Sequence, residues 1–189
     1  MRKQHYLNIS QAKDASAYAL LLNCRHCTPS QLREYASQNR IGSYLKEKLI
    51  ERVDIQGTAV LRLTDKGYRE FGKSINVENC RYHSNSIEHD LALADKYITV
   101  HREHPHCVWR NEEDLKIDRR DRVDELREQG RFEAAERLLA ASVPDCVIAT
   151  TSGISYGFDI VTDNYTQMDI VCKAEYCEEM QIEFKYERI

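Results

Sequence analysis

Two short pairs of soft ligands stand out in the sequence. Cys24 and Cys27 form a C-x-x-C pair, and Cys80 and His83 form a C-x-x-H pair. Four thiol and imidazole ligands at this spacing predict a structural zinc site with tetrahedral coordination. Because 52 residues separate the two pairs, the sequence favours the alternative that these cysteines are free thiols, since a free cysteine packs as a small hydrophobic residue.

A second group of residues carries carboxylates and a lysine at strand-like positions. Pro144 and Asp145 open one apolar stretch, and Glu183 and Lys185 alternate along a later stretch, which places both on one strand face. This pattern resembles the PD-(D/E)xK signature of restriction-endonuclease-like folds. The resemblance implies that Asp145 and Glu183 bind Mg²⁺ and that Lys185 supports the attacking water or the developing phosphate charge. Glu88, early in a predicted helix, matches the extra helical carboxylate of many such folds.

The elements that would position these groups begin with a compact helical segment. Apolar spacing predicts helices over residues 11–22, from Pro29 onward and over 41–52. Thr28 and Gln31 have the spacing of a capping box at the start of the second helix. A turn at Gly57, a returning strand over 59–63 and a helix capped by Thr64 complete the segment.

Three helices, a hairpin and a closing helix predict a winged helix-turn-helix, and residues 62–68 resemble the strand-to-helix junction of bacterial winged-helix DNA-binding proteins. The third helix is then the expected element in the major groove. The predicted DNA contacts are Arg33, Arg40, Ser43, Tyr44, Lys46, Lys48 and Arg52. Two alternatives remain: the cations solvate exposed helix faces, or the module binds a protein.

The rest of the chain predicts a second module. Residues 76–84 lack periodicity and predict a linker, after which Asn85 or Ser86 caps a helix over 87–102. A charged helical insertion over 118–142 breaks at Gly130, and a short strand is predicted at 107–109. Further strands are predicted over 143–148, 157–161, 168–172 and 180–186. The predicted fold class is α+β, with a winged helix-turn-helix over 1–75, a linker over 76–84 and an endonuclease-like α/β domain, shortened, over 85–189.

Charge and composition narrow the function. With 42% hydrophobic residues the chain can build a core, and no apolar run is long enough to cross a bilayer, so we expect a cytosolic protein without a membrane partner. The net charge of −4 divides unevenly: residues 1–73 carry 13 Lys and Arg against 7 Asp and Glu, and residues 74–189 carry 14 against 24. An anionic polymer is attracted to the first part and repelled by the second. Seven cysteines without a secretion signal argue against a disulfide framework.

Taken together, the motifs resemble those of the replication-relaxation family of plasmid and integrative-element proteins. The resemblance rests on the winged helix, the Ile-Glu-His-Asp-Leu-Ala run at 87–92, the Val-Trp-Arg-Asn-Glu run at 108–112 and the Pro-Asp strand. It implies a role in plasmid replication, mobilisation or their control.

Three hypotheses follow from these patterns. The leading one is a sequence-specific DNA-binding protein of a mobile element, which acts by occupying its site while the acidic module dimerises or recruits a protein partner. The second is a Mg²⁺-dependent endonuclease that uses Glu88, Asp145, Glu183 and Lys185. The third is an interaction or inhibitor protein whose acidic surface occupies the nucleic-acid channel of another protein.

Overall fold

The structure is a computed structural model that describes residues 7–55 and 57–189. The fold is mixed α+β, as the sequence predicted, and it divides into two compact units, Met1–Thr99 and Val100–Ile189. Residues 1–6 of the predicted first domain lie outside the described residues. Within the described ranges, no helix is both long and apolar enough to cross a membrane.

The first unit combines a short helical array with a three-stranded antiparallel sheet of order β1-β3-β2. Its elements are α1 (Gln11–Cys24), β1 (His26–Cys27), α2 (Pro29–Leu32), α3 (Gln38–Lys46), β2 (Ile50–Ile55), β3 (Thr58–Leu63) and α4 (Asp65–Gly72). Helix α5 (Ile87–Glu103) begins in this unit.

Local sequence signals account for most of the helix starts in this unit. The Thr28 side chain accepts from the Gln31 amide while the Gln31 side chain accepts from the Thr28 amide, so the predicted capping box is confirmed. Thr64 caps α4 as predicted, by accepting from the Gly67 amide. Gly67 is required there, because a Cβ atom on it would lie only 1.8 Å from the Leu49 carbonyl oxygen.

The predicted third helix is too long at its C-terminal end. Helix α3 ends at Lys46, and Ile50 begins strand β2, which pairs with β3 from Ile50 opposite Leu63 onward. Lys48 adopts a positive φ of 57°, which breaks the helix, and the Leu49 amide donates to the Tyr44 carbonyl to close it. Pairing with β3 therefore decides the conformation of residues 50–52, which helical spacing alone does not anticipate.

Residues 76–84, predicted as a linker, are irregular but packed. Tyr82 is only 2% exposed, and its amide donates to the Leu22 carbonyl over 2.9 Å. The start of α5 packs on the same unit, since the Gln31 side chain donates to the Leu91 carbonyl at 2.9 Å and to Asp95 at 2.7 Å. Packing thus divides the chain at residues 99 and 100, later than the boundary that polarity and loss of periodicity suggested.

The second unit contains a four-stranded mixed sheet of order β4-β5-β6-β7. Its elements are β4 (Val108–Asn111), α6 (Glu112–Glu128), α7 (Phe132–Ala140), β5 (Cys146–Ala149), β6 (Ser155–Val161), α8 (Gln167–Glu179) and β7 (Glu183–Arg188). Strand β5 is antiparallel to β4 and β6, whereas β6 and β7 are parallel and are joined through α8. A core that includes Leu126, Leu138 and Tyr176 joins helices α6, α7 and α8.

The two helices predicted over 118–142 are present and break at Gly130, which has a φ of +74°, but the first begins earlier than predicted, at Glu112. The strand predicted over 168–172 is wrong, because these residues lie in α8. Thr166 and Asp169 form a capping box that starts this helix, and that local signal outweighs the strand-like composition of the segment. Helix α8 packs closely on β6, since a Cβ atom on Gly157 would lie 2.5 Å from the Cys177 sulfur.

Candidate functional site

The first candidate site is the exposed face of α3. Asn39, Gly42 and Lys46 are exposed and Ser43 is partly exposed, whereas Ile41 and Tyr44 are buried. Residues at this three- and four-residue spacing form one stripe along a helix. Helix α3 therefore presents a polar, cationic stripe to solvent and an apolar one to the core.

A buried carboxylate fixes the orientation of α3. Asp14, on α1, accepts from the Arg40 guanidinium at 2.7 and 2.6 Å, from the Tyr44 hydroxyl at 2.5 Å and from the Ser10 amide at 2.8 Å. Burial alone would raise the pKa of Asp14, but the hydrogen bonds from Arg40 and Tyr44 hold it below its ordinary value. Arg40 and Tyr44, both predicted as DNA contacts, are instead engaged with Asp14 inside the unit.

The other predicted DNA contacts remain at the surface. Lys46 and Lys48 are exposed, and so are Arg33 and Arg52. The described ranges contain no ion-pair partner for these four side chains. Ser43 donates to the Asn39 carbonyl at 3.0 Å, which orients its hydroxyl along the helix. Asn39 was not among the predicted DNA contacts, although an amide side chain near the start of the predicted DNA-contacting helix is a usable signal.

The second candidate site lies in the second unit, where two strands bring two aspartates together. Asp145 directly precedes β5 and Asp159 lies on β6, and the Asp145 amide donates to Asp159 Oδ1 at 3.0 Å. The Ile160 amide in turn donates to Asp145 Oδ2 at 2.7 Å. Lys173, from α8, donates to Asp159 Oδ1 and lies 3.8 Å from Asp145 Oδ1. The Tyr165 hydroxyl accepts from Lys173 at 3.2 Å.

In this cluster one cation, Lys173, is shared by two buried acids, Asp145 and Asp159. Burial and the neighbouring Asp145 charge raise the pKa of Asp159 to about 7. The two carboxylates keep the pKa of Lys173 above its ordinary value although burial opposes this, so the ammonium remains charged. Asp159 Oδ2 is buried and has no hydrogen-bond partner among the described residues.

The carboxylate predicted as the second metal ligand lies elsewhere. On β7, Glu183 pairs with Lys185 at 3.0 Å at the surface, and Glu183 stands beside Tyr156 in the sheet register. Tyr156 lies three residues along β6 from Asp159, about 10 Å at strand spacing. Lys185 stands beside Phe158 in the register, and its ammonium lies over the Tyr156 ring, 4.6 Å from the ring centroid, and pairs with Glu183. The charged side chains placed at Asp145 are instead those of Asp159 and Lys173.

Glu88 is exposed in the first turn of α5, within the first unit. The two carboxylates of the cluster, Asp145 and Asp159, both belong to the second unit.

The predicted zinc ligands are likewise dispersed. Cys24 and Cys27 are fully buried, which raises the pKa of the Cys27 thiol to about 12 and that of Cys24 well above its ordinary value. His83 is exposed and Cys80 is half-buried. Across residues 7–55 and 57–189, no three His, Cys, Asp or Glu side chains converge on a position able to hold a metal ion. Cys24 and Cys27 therefore pack as core thiols.

Comparisons with family models, with curated proteins and with solved structures find no match for this chain. Function is therefore inferred from two places in the molecule. One is the polar stripe on α3, and the other is the cluster of Asp145, Asp159 and Lys173.

Proposed function

We propose that the first unit is a winged helix-turn-helix module that binds duplex DNA with α3 in the major groove. The order of its elements supports this, because two helices separated by a short turn precede a hairpin and a closing helix. The observation that carries the proposal is the stripe of Asn39, Gly42, Ser43 and Lys46 on α3. Helices of this kind contact base edges with the residues that face away from the core.

Gly42 is the most informative member of the stripe. A glycine inside a helix costs about 1 kcal/mol relative to alanine, so packing usually explains its presence. Here a Cβ atom on Gly42 would have no neighbour within 4 Å. The fold therefore does not require glycine at this position, whereas a helix that approaches base edges closely benefits from a flat surface.

The neighbouring side chains have the chemistry of DNA recognition. The amide of Asn39 can donate to and accept from the edge of adenine, and Lys46 can contact guanine or a phosphate. Lys48 follows at the end of α3, and Arg52 projects from the hairpin. These exposed cations supply the sequence-independent part of the affinity through phosphate contacts.

The division of charge supports the same assignment. The first unit carries 15 Lys and Arg against 11 Asp and Glu, and the second carries 12 against 20. A duplex is attracted to the first unit and repelled by the second. With the resemblance to the replication-relaxation family, this favours a DNA-binding protein of a mobile element that acts by occupying its site, with the acidic unit available to a second copy or another protein.

Salt-dependent binding to DNA tests the proposal. Fluorescence anisotropy with a labelled duplex should show binding that weakens with salt, and Lys46→Ala plus Lys48→Ala should reduce affinity by about tenfold or more. The matched control, Arg69→Ala plus Lys73→Ala, removes the same charge from α4 and the residue that follows it, and should change affinity by no more than about twofold. Equal losses in the two double variants would contradict a specific role for α3.

A second candidate function is metal-dependent cleavage of phosphodiester bonds in the second unit. The observation that favours it is the meeting of Asp145 and Asp159 from neighbouring strands with Lys173. These residues fit a divalent cation, because Asp159 Oδ2 is a buried carboxylate oxygen without a partner among the described residues. Asp145 and Asp159 would hold the ion, which when bound would supply a Lewis acid and an activated water. Lys173, oriented by Tyr165, would stabilise negative charge on the phosphate.

Nicking of supercoiled plasmid in the presence of Mg²⁺ or Mn²⁺ separates this candidate from simple DNA binding. If the cluster is catalytic, Asp159→Asn should lower the rate by about a hundredfold or more. Glu183→Gln is the matched control and should leave the rate unchanged, because Glu183 lies outside the cluster. Absence of nicking by the wild-type chain, or equal nicking by Asp159→Asn, would exclude the candidate.

A further inference from the structure

The first unit contains a polar cavity that the proposed functions do not use. It has a volume of about 430 Å³ and is lined by residues from the end of α1, strands β2 and β3, the start of α4 and residues 81–83. Its charged and titratable lining residues are Arg25, Arg62, Arg81, His83, Glu51 and Asp65. No residue of α3 contributes, so the cavity is separate from the proposed DNA-binding stripe.

Arg25 is held in the cavity wall by an unusual backbone. Its φ of 59° and ψ of −60° are those of a γ-turn conformation that is rare and strained for any residue with a side chain. Nothing about this turn requires arginine, and glycine would relieve the strain. Arg25 is half-buried, and its guanidinium has no ion-pair or hydrogen-bond partner among the described residues. A strained, partly buried cation without a partner is typical of a binding residue.

Arg62 and Arg81 each have guanidinium N–H groups without a hydrogen-bond partner among the described residues. Arg62 uses Nε to contact Glu51 at 2.7 Å. Arg81 contacts Asp65 at 2.8 Å and the Leu63 carbonyl at 2.9 Å. Since a guanidinium carries five N–H donors, both side chains retain donors that no described group satisfies. The lining thus has three permanent cations against two carboxylates, with His83 beside them.

Guanidinium groups bind phosphate through paired hydrogen bonds, and several arginines around one concavity suit the oxygens of a dianion. The volume lies within the range of small-molecule sites but is lined mainly by polar groups, which disfavours an apolar ligand. We propose that this cavity binds a small phosphate monoester through Arg25, Arg62 and Arg81. The ligand is distinct from duplex DNA, and its binding does not depend on the α3 assignment.

Isothermal titration of the full chain with inorganic phosphate and with adenosine 5′-monophosphate tests the proposal. Both should bind with one-to-one saturation at millimolar or lower concentration, about tenfold or more tightly than acetate, a monoanion. Tighter binding of the nucleotide would identify a nucleotide ligand, and equal binding would identify the phosphate group as the part recognised. Absence of saturable binding of both compounds would overturn the proposal.

Two variants and a control locate the binding. Arg25→Gly removes the guanidinium while permitting the backbone conformation, and it should weaken phosphate binding by about tenfold. Arg62→Ala, which breaks only a partly exposed ion pair, should have a similar effect and guards against misfolding of the first variant. Arg52→Ala, on the neighbouring position of β2 but outside the cavity, should leave phosphate binding unchanged. Unchanged binding in both cavity variants would place the ligand elsewhere.

The same variants distinguish this proposal from DNA binding. Arg25→Gly should retain wild-type affinity for a DNA duplex, whereas Lys46→Ala plus Lys48→Ala should lose DNA affinity and retain phosphate binding. Loss of DNA affinity in Arg25→Gly would show that the cavity arginines contact the DNA backbone, and this would overturn the assignment of a small ligand.

Discussion

Each unit contains a buried carboxylate cluster with a cation and a tyrosine, and the two clusters differ in how many hydrogen-bond donors the carboxylates receive. In the first unit, Asp14 receives hydrogen bonds from Arg40, Tyr44 and the Ser10 amide. In the second unit, Asp145 and Asp159 share Lys173, and one oxygen of Asp159 is left without a partner among the described residues. The pKa of Asp14 is accordingly lowered, whereas burial and Asp145 raise that of Asp159 to about 7.

The difference separates a structural carboxylate from a candidate functional one. A buried acid with a full set of donors stabilises the packing of the elements that carry them, here α1 and α3. Two acids around one ammonium are incompletely neutralised, and such sites are where cations bind and protons are exchanged. The first cluster therefore orients the proposed DNA-binding helix, and the second is the stronger candidate for chemistry.

The largest expected effect on stability is that of Lys173→Met. This change leaves two buried carboxylates facing each other without a cation and should lower the free energy of unfolding of the second unit by about 3 to 5 kcal/mol at neutral pH. Part of the loss should be recovered on acidification, as the carboxylates take up protons. Urea unfolding at several pH values measures both effects. The control, Lys185→Met, breaks only the exposed pair with Glu183 and should lower the free energy of unfolding by less than about 1 kcal/mol. Equal losses of stability in the two variants would contradict a special role for Lys173.

Asp14→Asn should have the next largest effect. The substitution weakens the hydrogen bonds to Arg40 and Tyr44 and leaves a partly buried guanidinium without its counter-ion, at a cost of about 2 to 3 kcal/mol. Because both donors belong to α3, DNA affinity should fall together with stability. Asp65→Asn, which removes an exposed acid paired with Arg81, is the control and should change stability much less than Asp14→Asn does. A fully stable Asp14→Asn variant would show that the cluster does not hold α3.

Asp159→Asn should gain stability relative to wild type as pH rises, whereas the two preceding variants should lose stability. A pKa raised from 3.8 to about 7 means that Asp159 stabilises the folded unit when protonated and that this contribution is lost as pH rises through about 7. Relative to wild type, the free energy of unfolding of the asparagine variant should rise by about 2 kcal/mol between about pH 5 and pH 7. For Asp14, whose pKa is lowered, the contribution is instead lost as pH falls. Unfolding of Asp159→Asn and wild type at matched pH measures the difference, and a constant difference across this range would contradict the raised pKa.

Local signals in the sequence predicted most of the elements. The capping residues Thr28, Gln31 and Thr64 act within a few residues of themselves, so their effect is visible in the sequence. Pairing with a strand distant in sequence is not visible in a local pattern. Residues 50–52 continue a helical pattern and were predicted as helix, but they pair with β3. The N-terminal unit was larger than polarity suggested, because Tyr82 packs into it from an irregular segment.

The site in the second unit also depends on pairing between distant strands, which local sequence patterns do not reveal. Glu183 and Lys185 satisfy a short motif that strands contain by chance, whereas sheet register decides which carboxylate meets Asp145. Lys173 was missed because residues 168–172, directly before it, were predicted to be a strand, whereas they lie in the helix that carries Lys173. Two signals were available: Thr166 and Asp169 have capping-box spacing, and Asp159 is a charged residue within an otherwise apolar strand.

Selection of DNA from a random duplex library tests the central claim most directly, because it asks whether α3 recognises sequence. The full wild-type chain should enrich a defined motif. Asn39→Ala should bind that motif about tenfold more weakly and lose its preference at one base pair, while retaining the preference elsewhere. Ser30→Ala, at an exposed position on α2, is the control and should leave the motif and affinity unchanged. Failure to enrich any motif, or an Asn39→Ala variant with the wild-type preference at every position, would contradict the assignment of α3 as the DNA-recognition helix.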